Sequence, residues 1–427
     1  MPNGASTAHL YEPKLAAVLR EGYHLDTLRR DAVAGLTVAI VALPLSMAIA
    51  VASGVSPERG LYTSIVGGFV VSLLGGSRYQ IGGPAGAFIT LVAATVAQIG
   101  LDGLALTVFI SGLLLTLIGL LGLGRFIRLI PHPVTVGFTG GIAVTIAASQ
   151  IKDLFGLTIA HEPGPFLPKL AALAAAAPTF SPASLALGVA CAAAIFGIRR
   201  VKPHWPAMLI AVVAASLAAL ALGLPVDTIG RRFGGIPHGL PAPHLPTFSL
   251  AMIGIALPPA LSFTLLGGVE SLLSAKVADG MTGRAHRSNM ELVAQGLANI
   301  ASAFFGGIAV TGTIARTATN VRAGGRTPVA GMLHAVFLLA FMLVAGSLAS
   351  YVPLCALAGV LVVVCWNMAE KHEFATLLRR PGPAAVLLTT FGLTIAKDLT
   401  FGIVAGCILA AALWLAARRK VEGSPKD

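Results

Sequence analysis

The sequence predicts an all-α polytopic membrane protein of 14 transmembrane segments, seven followed by seven. Three observations predict it. Hydrophobic residues make up 56% of the 427-residue chain and charged residues 11%, against about 25% charged in soluble domains. That is too little polar surface to cover a globule in water. A spanning helix needs about 20 apolar residues and its loop roughly 5–10 more, and apolar stretches nearly fill that allowance. Finally, the net charge of +12 is not a solvated basic face but lies in the loops between apolar stretches. A soluble enzyme and a nucleic-acid binder are therefore excluded.

In chain order, residues 13–30 read as a basic amphipathic helix on a membrane surface, closing an N-terminal cytoplasmic segment over 1–30. No short apolar core with a cleavage site precedes it. The first repeat, 31–224, holds apolar stretches at 32–53, 60–75, 83–99, 103–123, 134–150, 182–198 and 205–223. An Ala-rich piece over 163–178 reads as a reentrant or interfacial helix. A Pro-rich linker over 225–250 separates the halves on the far side of the membrane. The second repeat, 251–419, holds stretches at 255–275, 290–308, 313–321, 328–349, 352–366, 383–396 and 400–417, and a short stub covers 420–427.

Loop charge sets the orientation, since Lys and Arg accumulate on the cytoplasmic side. Fourteen spans put both termini on one side, and that side receives 22 of the 29 Lys and Arg residues, against 6 on the other. Arg316 alone falls near mid-membrane. The expected location is the plasma (inner) membrane with both termini cytoplasmic. Cys191, Cys355, Cys365 and Cys407 all lie in apolar segments without CxxC spacing, so neither a disulfide framework nor a metal site is expected. No phosphate-binding loop of the ATPase type is present, and no cofactor is implied. The histidines lie mostly in loops or at span ends without ligand spacing and read as solvated or structural.

Two segments are wrong for plain spanning helices. In 80–88, Gly82-Gly83 breaks a helix and Pro84 suits the first turn of a new one. In 310–320, a β-branched entry and Gly312 precede a helix that reaches only to the 322–326 loop. Each segment is third in its half, and interrupted segments at matching positions point to the central site of a transporter. A half-helix N-terminus exposes unpaired N–H groups and about half a positive charge, so two such ends make an anion site, to which Arg316 adds a full charge.

Glu270 is the one carboxylate placed well within a span. At that depth it is either paired or protonated: a proton carrier coupled to the anion, a static partner of Arg316, or a helix-packing hydrogen bond. Pro44, in 42–50, kinks the first segment and frees a backbone carbonyl.

Leu43-Pro44-Leu45-Ser46-Met47-Ala48, Gly60-Leu61-Tyr62, Gly83-Pro84-Ala85, the 229–246 loop, Val269-Glu270-Ser271-Leu272 and above all the stretch 312–324 resemble the SulP (sulfate permease) anion-transporter family. The resemblance runs from Asp31 to about Lys420, and 267–367 is most similar to a bacterial branch with carriers of four-carbon dicarboxylates. It implies a seven-plus-seven inverted repeat divided into core and gate domains, short extended pieces before half-helices in segments 3 and 10, elevator-type motion and a homodimer. The pocket it implies is Leu45, Ile49, Ala85, Gly86, Ala87, Ala315 and Arg316, with Glu270 beside it. Members usually end in a cytoplasmic STAS domain, absent from this sequence, and many carry Ser where Ala315 stands.

The expected function is uptake of a small anion, namely a dicarboxylate such as fumarate or succinate, with protons carried by Glu270. Small residues at Ala85 and Ala315 leave room for such a substrate. The alternatives are sodium-coupled bicarbonate or sulfate transport, and an uncoupled anion exchanger or channel. A nucleobase carrier is disfavoured because a neutral base needs no buried cation.

Overall fold

The computed structural model describes residues 11–124, 131–159, 163, 166–203, 205–397 and 399–422. Residues 1–10 of the N-terminal segment, Arg125 and Arg128 of the loop count, His204 and residues 423–427 of the stub lie outside the described residues. The chain is mostly helical. Seven helices among the described residues are long and apolar enough to cross a membrane: Leu25–Ala52, Gly86–Leu120, His132–Phe155, Pro182–Val201, Leu250–Thr282, Val329–Ala349 and Leu354–Leu378. Shorter apolar helices are Phe166–Ala175, Ala207–Ala221, Pro381–Ala396 and Phe401–Ala416. Large apolar side chains such as Leu222, Leu250 and Val344 stand exposed on the outside of the molecule, the inverse of a water-soluble surface.

The amphipathic stretch expected as one helix over 13–30 is two pieces. The Lys14–Glu21 helix stops at Gly22, whose φ of 91° is open to glycine. A second helix starts at Leu25 and continues for 28 residues, through Pro44, to Ala52. Its Asp31 is buried and accepts hydrogen bonds from the Arg326 and Thr327 N–H groups at 2.8 and 3.2 Å. The beginning of this helix is thereby tied to the loop after the second break. The Tyr23 hydroxyl also donates to Asp31 at 3.1 Å; burial first, then this carboxylate, push its pKa up to about 12.

The second segment is one helical rod built of Pro57–Tyr62, a π turn over Thr63–Gly67 and Gly68–Leu74. π turns inside helices commonly mark functional positions. The chain then becomes extended, forming the Gly82–Gly83 strand, and becomes helical again at Gly86. Gly100, at φ 70° and ψ −170°, separates the third segment from the fourth within Ile89–Leu120.

Helices pack as two bundles. In the first, Leu25–Ala52, Gly68–Leu74, Ile89–Leu120, Leu250–Thr282, Ser288–Phe304 and Val329–Ala349 contact one another. In the second, His132–Phe155, Pro182–Val201, Ala207–Ala221, Leu354–Met368, Pro381–Ala396 and Leu399–Glu422 do so. Each bundle draws helices from both halves of the sequence. The Phe166–Ala175 helix lies against the second bundle.

Candidate functional site

Inside the first bundle two extended segments cross. The Gly82–Gly83 strand pairs antiparallel with Thr311–Gly312, Gly82 opposite Gly312 and Gly83 opposite Thr311. The Thr313 N–H extends the pairing to Ile81 O at 3.1 Å. Extended backbone within a bilayer is tolerated only where the protein satisfies its N–H and C=O groups, and side chains from neighbouring helices do this. Asn299 receives the Val310 N–H on Oδ1 and donates Nδ2 to Val310 O, both at 2.9 Å. Thr63 Oγ1 accepts the Ile308 N–H at 2.7 Å, and Ser302 Oγ donates to Ile308 O at 2.7 Å. Thr317 Oγ1 accepts the Ile81 N–H at 3.1 Å, while Ser271 Oγ accepts the Gly312 N–H at 3.2 Å. Gln80 Nε2 donates to Ser271 O at 3.1 Å and Asn320 Nδ2 to Tyr79 O at 2.9 Å.

A helix begins immediately beyond each strand. After the first, Ala85 is extended, a 3-10 turn covers Gly86–Phe88, and the α-helix follows at Ile89. The helical start is thus later than Pro84, which stays in the extended approach. Its carbonyl is used by the site: Arg316 Nη2 lies 3.4 Å from Pro84 O. After the second strand, Thr313 is extended and the helix spans Ile314–Arg322. No side chain caps either N-terminus, so the free N–H groups and the positive end of each helix dipole remain available to an anion.

Arg316 is 1% exposed, and it is held by neutral groups. Nη1 donates to Ser64 Oγ and Nη2 to Ser46 Oγ, each at 3.0 Å. Ser46 Oγ also donates to Ala42 O at 2.6 Å. A hydroxyl has one hydrogen, so in the 2.8 Å Ser46–Ser64 contact Ser64 is the donor. Both serines thereby present lone pairs to the guanidinium. The π turn supplies Ser64 and the Pro44 segment supplies Ser46. Arg316 Nε is buried with no hydrogen-bond partner, an unmet donor beside two uncapped helix ends.

Glu270 does not neutralise this cation. Among the described residues no ion pair joins them, and Glu270 Oε2 is buried without a hydrogen-bond partner. The static Glu270–Arg316 pair is therefore not the arrangement found. As a whole residue Glu270 is only half-buried, whereas Glu291, in the first turn of Ser288–Phe304, is fully buried. Glu291 is satisfied, however, accepting from the Ser77 N–H at 3.0 Å and Gln295 Nε2 at 3.2 Å. Asp31 is satisfied likewise. Glu270 differs from both in having a buried oxygen that nothing meets.

Of the remaining residues expected to line the pocket, Leu45, Ile49, Ala85 and Ala87 fall in one buried apolar cluster with Phe88, Ile146 and Phe263. Gly86 is half-buried and faces the second bundle, where a Cβ would come to 3.4 Å from Ile146 Cδ1 and 3.5 Å from Met368 Sδ. Ala315 is exposed and stands outside that cluster. Sequence reasoning missed Ser46 and Ser64 as partners of Arg316. Ser46 lies in a stretch that drew attention for Pro44, whereas nothing in the sequence marks the π turn that aims Ser64. His334 is an exception to the loop and span-end histidines: it is fully buried within Val329–Ala349, with both ring nitrogens lacking hydrogen-bond partners.

Comparison with known proteins places this geometry. The family model described as "Sulfate permease family" matches residues 28–390. A putative sulfate transporter, YvdB of Bacillus subtilis, is 42% identical over 407 residues, covering 95% of this chain and 76% of the relative. The bicarbonate transporter BicA of Picosynechococcus is 31% identical over 406 residues, covering 91% and 70%. Among solved structures, the transmembrane domain of a cyanobacterial BicA superposes with a TM-score of 0.79 at 29% identity, covering 91% of this chain and 98% of that one. SLC26A9 superposes with a TM-score of 0.85, covering 96% and 69%; at 20% identity it speaks for the fold alone.

Proposed function

The chain belongs to the sulfate permease family, and from that premise we propose that it is a secondary active carrier of a small oxyanion. The observation that carries this reading is Arg316, a buried cation with no carboxylate partner among the described residues, beside two uncapped helix N-termini. A cation held by serine hydroxyls keeps its charge for a ligand, whereas one paired to a carboxylate would not. The relatives' names favour sulfate or bicarbonate as the substrate class. Glu270, half-buried with one oxygen that is itself buried and unpartnered, is the group through which a proton or sodium ion would be coupled to the anion.

The two bundles support an elevator-type motion. The anion ends lie in the first bundle and Gly86 abuts Ile146 and Met368 of the second, so sliding one bundle along the other would carry the site across the membrane. The interrupted segments, third in each half and paired strand to strand, support a 14-span inverted repeat. Loop charge supports a plasma-membrane protein with cytoplasmic termini.

A second substrate reading, proton-coupled carriage of fumarate or succinate, rests on the small side chains of Ala85 and the exposed Ala315. Uptake of labelled sulfate, bicarbonate and fumarate into proteoliposomes, with imposed proton or sodium gradients, tests both. Accumulation of fumarate alone favours the second reading, and accumulation of an inorganic oxyanion the first. No gradient-driven accumulation of any of the three contradicts secondary active transport.

A further inference from the structure

Outside the central site, a cavity of about 260 Å³ lies beside the Lys14–Glu21 helix. Three arginines from three separate loops line it: Arg78, just ahead of the Gly82–Gly83 strand, Arg284, just after Leu250–Thr282, and Arg326, just after Ile314–Arg322. Thr27, in the first turn of Leu25–Ala52, and Tyr79 add hydroxyls to the wall.

The charges in this cavity do not balance. The Arg78 side chain is 11% exposed and pairs with Glu21. Arg284 and Arg326 are exposed and have no ion pair among the described residues. Asp31 touches the lining residues Tyr23 and Thr327, but its oxygens are already taken by the Tyr23 hydroxyl and the Arg326 and Thr327 N–H groups. With Asp31 counted, three cations stand against two carboxylates. Residues 1–10, which precede this corner of the chain, contain no Asp or Glu. Lys14 feels the same excess: burial first, then Arg287 and Arg78, hold it below the usual lysine range.

The surroundings indicate which anion fits. Leu19 and Leu25, on the same helix-turn-helix corner as the lining residues Val18 and Tyr23, are 60% and 80% exposed. Apolar exposure on a basic amphipathic segment is the pattern of one lying in the headgroup layer of a bilayer. A guanidinium fork meets phosphate in two contacts, and basic pockets at a membrane surface recognise lipid headgroups in this way.

We propose that this cavity binds the phosphate of an anionic phospholipid headgroup, held by Arg284 and Arg326 with Arg78 behind them. Arg78 leads into one interrupted segment and Arg326 follows the other, so a bound headgroup ties together the loops that flank both chain breaks. The inference goes beyond the transport reading and does not depend on it.

The test is thermal unfolding of the purified full chain in detergent, with phosphatidylglycerol, phosphatidylcholine or soluble glycerol phosphate added. Phosphatidylglycerol raises the melting temperature saturably, as a ligand of the folded state does, and phosphatidylcholine does not. Arg284→Gln raises the lipid concentration for half the effect about fivefold, and Arg284→Gln combined with Arg326→Gln about 25-fold. Both arginines are exposed, so these variants fold as the unaltered chain does. The difference shrinks in high salt. Thr27→Trp keeps every charge, fills the cavity and also loses the response. Arg379→Gln combined with Arg380→Gln removes two exposed arginines just after the Lys371–Leu378 helix and leaves the half-effect concentration unchanged. Equal shifts in the two double variants, or an unaltered response in a folded Thr27→Trp, would show that net charge alone holds the lipid and would overturn the site. Equal stabilisation by glycerol phosphate at the same concentration assigns the cavity to a soluble phosphate compound and overturns the lipid. Absence of any stabilisation by phosphatidylglycerol overturns the proposal outright.

Discussion

The guanidinium of Arg316 occupies the space that a side chain on Gly83 would need. Gly83 belongs to the extended strand of the first half and Arg316 to the half-helix of the second. Each break in the chain thus accommodates the other: removal of a side chain at one makes room for the charge at the other. The proposed anion site is therefore built jointly by two segments separated by more than two hundred positions, and a strand register of two residues on each side holds them in place.

Gly83→Ala should displace the guanidinium from Ser46 and Ser64. A displacement near 1 Å in a binding constellation costs about 100-fold, so anion affinity measured by titration calorimetry should fall by about that factor. Gly254→Ala, at a helical position where an added Cβ meets nothing within 4 Å, should leave affinity unchanged.

Arg316→Lys keeps the charge and loses the fork. A single ammonium cannot reproduce the paired contacts to Ser64, Ser46 and Pro84 O. Loss of charge-assisted hydrogen bonds of about 1.5–3 kcal/mol corresponds to a roughly 10- to 100-fold weaker anion affinity. Ser64→Ala should give a smaller loss in the same assay, because Ser46 and Pro84 O remain.

Much of this architecture is legible in the sequence because bilayer physics is strict. Apolar stretches of span length, the loop charges and the two Gly-containing breaks all follow from the absence of water in the membrane. Arg316 and Glu270 are legible for the same reason, as ionisable residues in apolar surroundings. Ser64 is not, since its orientation depends on a π turn that has no signature in Thr63–Gly67. Glu291 was hidden by its position near a helix start, where a carboxylate ordinarily meets solvent; here it meets the Ser77 N–H. The helical start at Gly86 rather than Pro84 depends on Arg316 using the Pro84 carbonyl, a contact between halves that local preference does not contain.

Glu270→Gln should uncouple the carrier. The neutral amide preserves shape and removes the group proposed to take a cation, so exchange of anion across the membrane should continue while accumulation driven by a proton or sodium gradient is lost. Counterflow and gradient-driven uptake, measured on the same vesicles, separate the two.

Asn299→Ala should destabilise the fold and spare the chemistry of the site. It strips the Val310 N–H and C=O of their partners, and each buried unsatisfied group costs about 1–3 kcal/mol. A lowered melting temperature in detergent, with anion affinity unchanged in the folded fraction, is the expected result.

The most direct test of the central claim is anion binding to purified protein by titration calorimetry, with sulfate and bicarbonate, comparing the unaltered chain with Arg316→Ala. Saturable binding of at least one of these anions that disappears in the variant, while both proteins elute as the same folded species, is the predicted result. Equal binding by the two proteins would contradict the assignment of the site to Arg316 and the helix ends around it.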